Sequence, residues 1–198
     1  MSGAERREEI TAEIAERTGI TEAMIERLVR GFYEKVRADE MLAPVFDIRI
    51  RDWEPHLQQM FAFWSSVALM TGRYQGTPMA KHMRLPVDAA HFDRWLSLFE
   101  TTARELCPPQ AAEHFVERAR RIAASLELGI ANAHGVVLGV GERFRRSAMN
   151  KKTRAKAIAI ENDIAVQSTP LSGGSLVPML VIGLVLTFAG MIAALALS

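Results

Sequence analysis

Tyr74-Gln-Gly-Thr-Pro-Met-Ala-Lys-His82-Met-Arg-Leu-Pro86 is a short stretch punctuated by proline on either side of a single histidine. Pro78 suits a first helical turn, because the N–H it lacks is one that turn leaves unpaired, and Pro86 cannot continue a helix. The stretch therefore predicts one short helical turn that presents His82. A neutral imidazole held in this way meets a metal at a fixed angle, once its other ring nitrogen donates to a carbonyl or carboxylate. From these residues alone His82 is either a metal ligand or an ordinary surface or core histidine.

Outward from this stretch the chain reads as helices. Before it, Ile25, Leu28, Val29, Phe32 and Val36 recur at i, i+3, i+4, i+7 and i+11, which predicts an amphipathic helix with Tyr33 near the core. Between them, Leu57, Met60, Phe61, Trp64, Val67 and Ala68 give a broad apolar face from Trp53 to about Met70, and His56 leads into that face. After it, Trp95 shares a helical stripe with Phe92 and Phe99. Such stripes pack cores, yet a buried Tyr or Trp also wants a partner for its O–H or N–H, so Tyr33 and Trp95 can serve both purposes.

In their order and spacing, Phe32-Tyr-Glu-Lys-Val-Arg37, Pro44-Val-Phe46, Trp53-Glu-Pro-His56, Phe63-Trp64, Tyr74-Gln-Gly-Thr-Pro78, Lys81-His82-Met-Arg-Leu-Pro86 and Phe92-Asp-Arg-Trp95-Leu-Ser-Leu-Phe99 resemble the group III truncated haemoglobins. The resemblance covers about residues 20 to 135. It implies an all-α fold, a shortened two-over-two helical sandwich around haem b. It further implies His82 as proximal ligand of the haem iron and Tyr33 and Trp95 as polar distal groups near a bound gas. His56 would be the distal histidine and Phe46 an aromatic wedge against the porphyrin, with Phe32 beside Tyr33 in the distal pocket. The implied ligands are oxygen, nitric oxide or another diatomic gas.

Composition is compatible with this. Of the 198 residues 24 are basic and 23 acidic, so net charge gives no reason to expect a nucleic-acid partner. The charged opening Met1-Ser-Gly-Ala-Glu-Arg-Arg-Glu-Glu9 has no apolar stretch of a cleaved secretory signal, so the globin is expected in the cytoplasm. The single Cys107 cannot form an internal disulfide and has no expected role. His91, His114 and His134 have no partner at metal-ligand spacing and read as solvated or satisfied helix residues.

The remaining elements follow from punctuation. A first amphipathic segment, about Ala4 to Thr18, ends before Gly19 and is expected to be a mobile helical extension over residues 1–19. Thr21 and Asp88 are candidate N-caps, and Pro108-Pro109 separates two helices. The second of these carries Phe115, Ala119, Ile122, Leu126 and Ile130 on one face, and Gly135 is its stop. No alternating pattern argues for a strand, and no internal repeat is present.

Residues 136–175 read as a linker outside the globin, basic and then polar. Seven basic residues and no acidic one lie between Arg143 and Lys156, and no charge follows Asp163. Ser172-Gly-Gly-Ser175 reads as a flexible joint. Residues 176–197, Leu176 to Leu197, are apolar, and as a helix rising about 1.5 Å per residue they match a hydrocarbon core of roughly 30 Å. One transmembrane helix is expected, with the basic residues upstream placing the globin on the cytoplasmic face of the membrane. The basic stretch is also suited to anionic lipid. Gly183, Thr187, Gly190 and Ala194 form a small-residue face that would permit dimerisation through the span.

Three functions are compatible with this organisation. The first is a membrane-tethered protein binding oxygen or another small gas. The second is a haem enzyme, a nitric oxide dioxygenase or peroxidase, and the third a gas or redox sensor signalling to a membrane partner. No flavin or Rossmann glycine motif is present, so turnover would draw on an external reductase, and binding is the favoured reading.

Overall fold

The computed structural model describes residues 2–146; the expected membrane helix 176–197 and most of the basic stretch lie outside them. Seven helices occur among the described residues: α1 (Gly3–Thr18), α2 (Glu22–Arg37), α3 (Ala43–Asp47), α4 (Trp53–Leu69), α5 (Pro78–His82), α6 (Ala89–Leu106) and α7 (Pro109–Ala133). No described residue is in a strand. No described helix is long and apolar enough to cross a membrane.

The architecture is two helix pairs laid on one another. α2 packs along α4 and α6 along α7, while α2 also meets α6 and α4 meets α7. The apolar positions predicted for α2 are those it buries: Ile25, Leu28, Val29 and Val36 have no exposure and Phe32 has 1%. Fully burying one such side chain contributes about 1.5–3 kcal/mol, so this stripe alone fixes the helix against both neighbours. The predicted caps form. The Thr21 hydroxyl accepts from Met24 N, Asp88 and His91 make a capping box at the head of α6, and Gly135 turns the chain after α7 at φ +70°.

Two connections position the interior. Between α2 and α3, the buried Asp39 carboxylate accepts from the backbone N–H groups of Met41 (3.1 Å) and Leu42 (3.0 Å) and from Arg94 Nε at 2.6 Å. Burial opposes its charge, but these donors outweigh that cost and hold the carboxyl below the usual carboxylate range. The turn they fix directs α3 over the interior. α5 lies against α7 at Gly129, where a Cβ would run into the Met79 thioether.

The N-terminal segment, expected to be a mobile extension, is a helix packed on the globin. α1 packs on α4 and α7, and it buries Ile14 and Thr18. Its Thr11 hydroxyl donates to Leu69 O at 2.8 Å, while α7 supplies His114 Nε2 to Ala68 O (2.9 Å) and Arg118 Nε to Val67 O (3.0 Å). Three carbonyls at the end of α4, which a helix terminus leaves without intrahelical partners, are thereby satisfied from two other helices.

The described part of the stretch after Gly135 also differs from a free linker. Phe144 is 1% exposed and joins a second apolar cluster with Val87, Phe92, Ala123, Ile130 and Ala131. Buried Glu127 accepts from Phe144 N at 2.7 Å and from Arg143 Nε at 2.9 Å, and Arg143 also reaches Asp93 at 2.7 Å. Arg143, expected to join a lipid-facing basic stretch, is thus committed to an ion pair. A Phe144→Ala substitution is expected to destabilise the globin by about 3–5 kcal/mol, the range for a large buried aromatic. Urea unfolding followed by the helical signal measures this, and a loss within 1 kcal/mol on the order of surface changes would show that the segment merely lies against the globin.

Candidate functional site

Helices α2 to α7 enclose a cavity of about 290 Å³. Its apolar lining includes Leu42, Phe46, Met60, Phe63, Phe92 and Leu126, and its polar members come from several helices and the loops between them. His82, Tyr33, His56, Trp95 and Phe46, the site residues proposed from sequence, all border it. Phe32 does not: it is buried behind the wall, edge-on to Tyr33, Trp95 and Phe99 with ring centroids 5.1, 5.4 and 5.2 Å away. It supports the pocket from behind.

His82 is the last residue of α5, and its Nδ1 lies 2.7 Å from the carbonyl oxygen of Pro78 one turn earlier. A carbonyl only accepts, so Nδ1 carries a proton, and in the neutral ring Nε2 keeps its lone pair. The short helix bounded by proline thus fixes both the orientation and the tautomer of the ring.

Tyr33 projects from α2 and is 6% exposed. Its ring meets Phe46 and Trp53, each at 5.8 Å, and lies edge-on to His56 at 5.1 Å. Burial pushes its phenol well above the ordinary range, so it remains a neutral O–H donor at any physiological pH.

His56, in the first turn of α4, has a buried Nε2 with no hydrogen-bond partner among the described residues. Burial, and after it the positive charge of Lys81, lowers the affinity of His56 for a proton. The imidazole is therefore neutral at neutral pH, with one nitrogen able to donate and the other to accept.

Half-buried Trp95 stacks on Phe99 at 5.3 Å, and Phe99 stacks in turn on Trp64 at 4.6 Å. This column of rings holds the Trp95 indole at the cavity wall. Phe46 on α3 stacks on Trp53 at 6.3 Å, which ties the short helix to the start of α4.

Several cavity residues were not singled out from sequence. Arg49 and Lys81 bring two cations to the wall, and Gln59, Tyr74 and His91 bring further polar groups. The position of Lys81 beside His82 was the one available signal for the first pair. His91 had another signal, its place three residues after the cap Asp88, with which its Nδ1 now pairs at 2.9 Å. The other two histidines lie away from the cavity lining: His114 caps α4, and His134 stacks on Phe144 at 5.6 Å.

These groups suit a haem. The lining is largely apolar, one imidazole retains a free lone pair, and Arg49 and Lys81 offer charge to carboxylates. The unpartnered His56 nitrogen costs about 1–3 kcal/mol unless something in the cavity meets it. Among the described residues no group of three or more His, Cys, Asp or Glu is placed to hold a metal ion.

Comparison with known proteins agrees with the geometry. The family model for bacterial-like globins matches residues 14–127, a span that begins inside α1. The group 3 truncated hemoglobin ctb of Campylobacter jejuni is 33% identical over 113 residues, covering 54% of this chain and 89% of that protein. The crystal structure of group III truncated hemoglobin from Campylobacter jejuni superposes with a TM-score of 0.51 at 33% identity, covering 54% of this chain and 88% of that one. The chain belongs to the bacterial-like globin family and is a truncated globin, a family whose cofactor is haem iron.

Proposed function

We propose that this protein is a membrane-tethered haem protein that binds oxygen or another small diatomic gas reversibly, with His82 as the iron ligand. The observation that carries the reading is the His82 Nδ1–H donated to Pro78 O at 2.7 Å, which leaves the Nε2 lone pair available in the wall of an apolar cavity. Haem b held there through His82 would supply the ferrous iron that a diatomic gas binds.

The side chains do the rest. Tyr33, kept neutral by burial, offers an O–H from the α2 wall, and Trp95 offers an indole N–H from α6. His56, neutral at pH 7, can donate into the cavity or turn outward and admit a ligand. Phe46, Met60 and Phe92 exclude water, which strengthens each of these polar contacts. Arg49 and Lys81 are placed to pair with anionic groups at the cavity edge.

The tether is the apolar run Leu176–Leu197, a single pass with the globin on the cytoplasmic side. Its support is its length, the absence of charge after Asp163 and the basic residues upstream. The full chain is expected to remain with membranes after alkaline carbonate extraction, whereas a chain ending at Asp163 should be released. Quantitative extraction of the full chain would remove the membrane from this reading and leave the gas-binding pocket untouched.

A further inference from the structure

Between Gly135 and Arg146 the chain carries an apolar tip on a fixed mount. Val136 and Leu138 pack against the second apolar cluster, while Val137 and Val140 project outward with 88% and 109% exposure. Gly141 turns the chain at φ +80°, and the Glu142 carboxylate accepts from Gly139 N at 2.8 Å. Behind the tip, Phe144 is buried, and Arg143 is bound to Glu127 and Asp93. The two valines are therefore held out from the body of the globin.

The carboxylates of Glu127, Asp93 and Glu142 are all engaged, by Arg143 and by Gly139 N. Arg145 is exposed, and the sequence adds Lys151, Lys152, Arg154 and Lys156 with no acidic residue before Glu161. Exposed apolar side chains followed in sequence by a run of basic residues suit an anionic lipid surface, where the former enter the interface and the latter meet headgroups. Two valines bind such a surface weakly by themselves, but a tether makes the contact intramolecular and raises its occupancy. Only residues 147–175 separate the described globin from the apolar run.

We propose that Val137 and Val140, with the exposed Arg145 that follows them in the chain, form a second membrane contact that docks the globin on an anionic lipid surface. This rests on the membrane-tether reading of residues 176–197. The test uses the full chain with Cys107→Ser, reconstituted in nanodiscs containing phosphatidylserine. An environment-sensitive fluorophore is attached at Val140→Cys or, as a control, at the exposed Ser97→Cys.

The expected result is a blue-shifted emission at position 140, quenched by nitroxide-labelled lipid, and an aqueous emission at position 97. Arg145→Gln should weaken the docking equilibrium roughly fivefold. Aqueous emission at position 140 in protein that co-purifies with discs would overturn the docking and leave the anchor standing. A blue shift that lipid nitroxide does not quench would mean that protein covers the tip, which overturns the lipid assignment. A chain that does not co-purify with discs would overturn anchor and docking together.

Discussion

His82→Ala is expected to fold and to lose its hold on haem. The side chain is half-buried and lies outside both apolar clusters, so its removal leaves no large core cavity. What disappears is the one imidazole in the cavity wall whose tautomer is fixed by a backbone carbonyl within its own helix. Losing a residue that merely orients a metal ligand costs 10- to 100-fold in affinity, so losing the ligand should speed haem transfer to an acceptor globin by at least about 100-fold. Added free imidazole should restore part of the retention by occupying the vacated place. Unchanged transfer would assign the ligand role to another group, with His56 and its unpartnered Nε2 the first to examine.

Tyr33→Phe removes one hydroxyl and leaves a ring of nearly the same shape packed among Phe32, Phe46, Trp53 and His56. The neutral O–H it deletes is a donor held by burial in a water-poor cavity. Such a bond to a polarised ligand contributes about 1–2 kcal/mol, which corresponds to oxygen dissociation faster by roughly five- to thirtyfold. Carbon monoxide carries less charge when bound and should respond less. Trp95→Phe should act in the same direction and by a similar order, because the stack on Phe99 survives while the indole N–H is lost. Stopped-flow dissociation measures both, and unchanged rates in both variants would remove these residues from the gas-binding site.

Much of the helical framework is legible in the sequence because it rests on local rules. The spacing of Ile25, Leu28, Val29, Phe32 and Val36 sets α2, and Pro78, Pro86 and Pro109 mark where short and long helices begin or cannot continue. Thr21, Asp88 and Gly135 act where their side-chain or backbone chemistry predicts. Of the proposed site, His82, Tyr33, His56, Trp95 and Phe46 reach one cavity. Phe32 fails for a geometric reason: neighbours on a helix point about 100° apart, so Tyr33 faces the cavity and Phe32 the core behind it.

What the sequence hides depends on partners distant in the chain. α1 reads as a mobile extension because half of its residues are charged, and its docking rests on Ile14, Thr18 and one hydroxyl that finds a carbonyl of α4. Arg143 looks like part of a free basic run, since its partners Glu127 and Asp93 are brought to it only by the packing of α6 and α7. Arg49, Lys81 and His91 reach the cavity by side-chain direction, which no periodicity encodes.

The central claim is that this cavity holds haem through His82, and the visible spectrum of the purified protein tests it most directly. Taken as isolated, after reduction and after reduction under carbon monoxide, the protein should show a sharp Soret band that shifts with carbon monoxide, and the band should be lost or altered in His82→Ala. A colourless protein that takes up no added haemin, or a Soret band and carbon monoxide shift identical in His82→Ala, would contradict it.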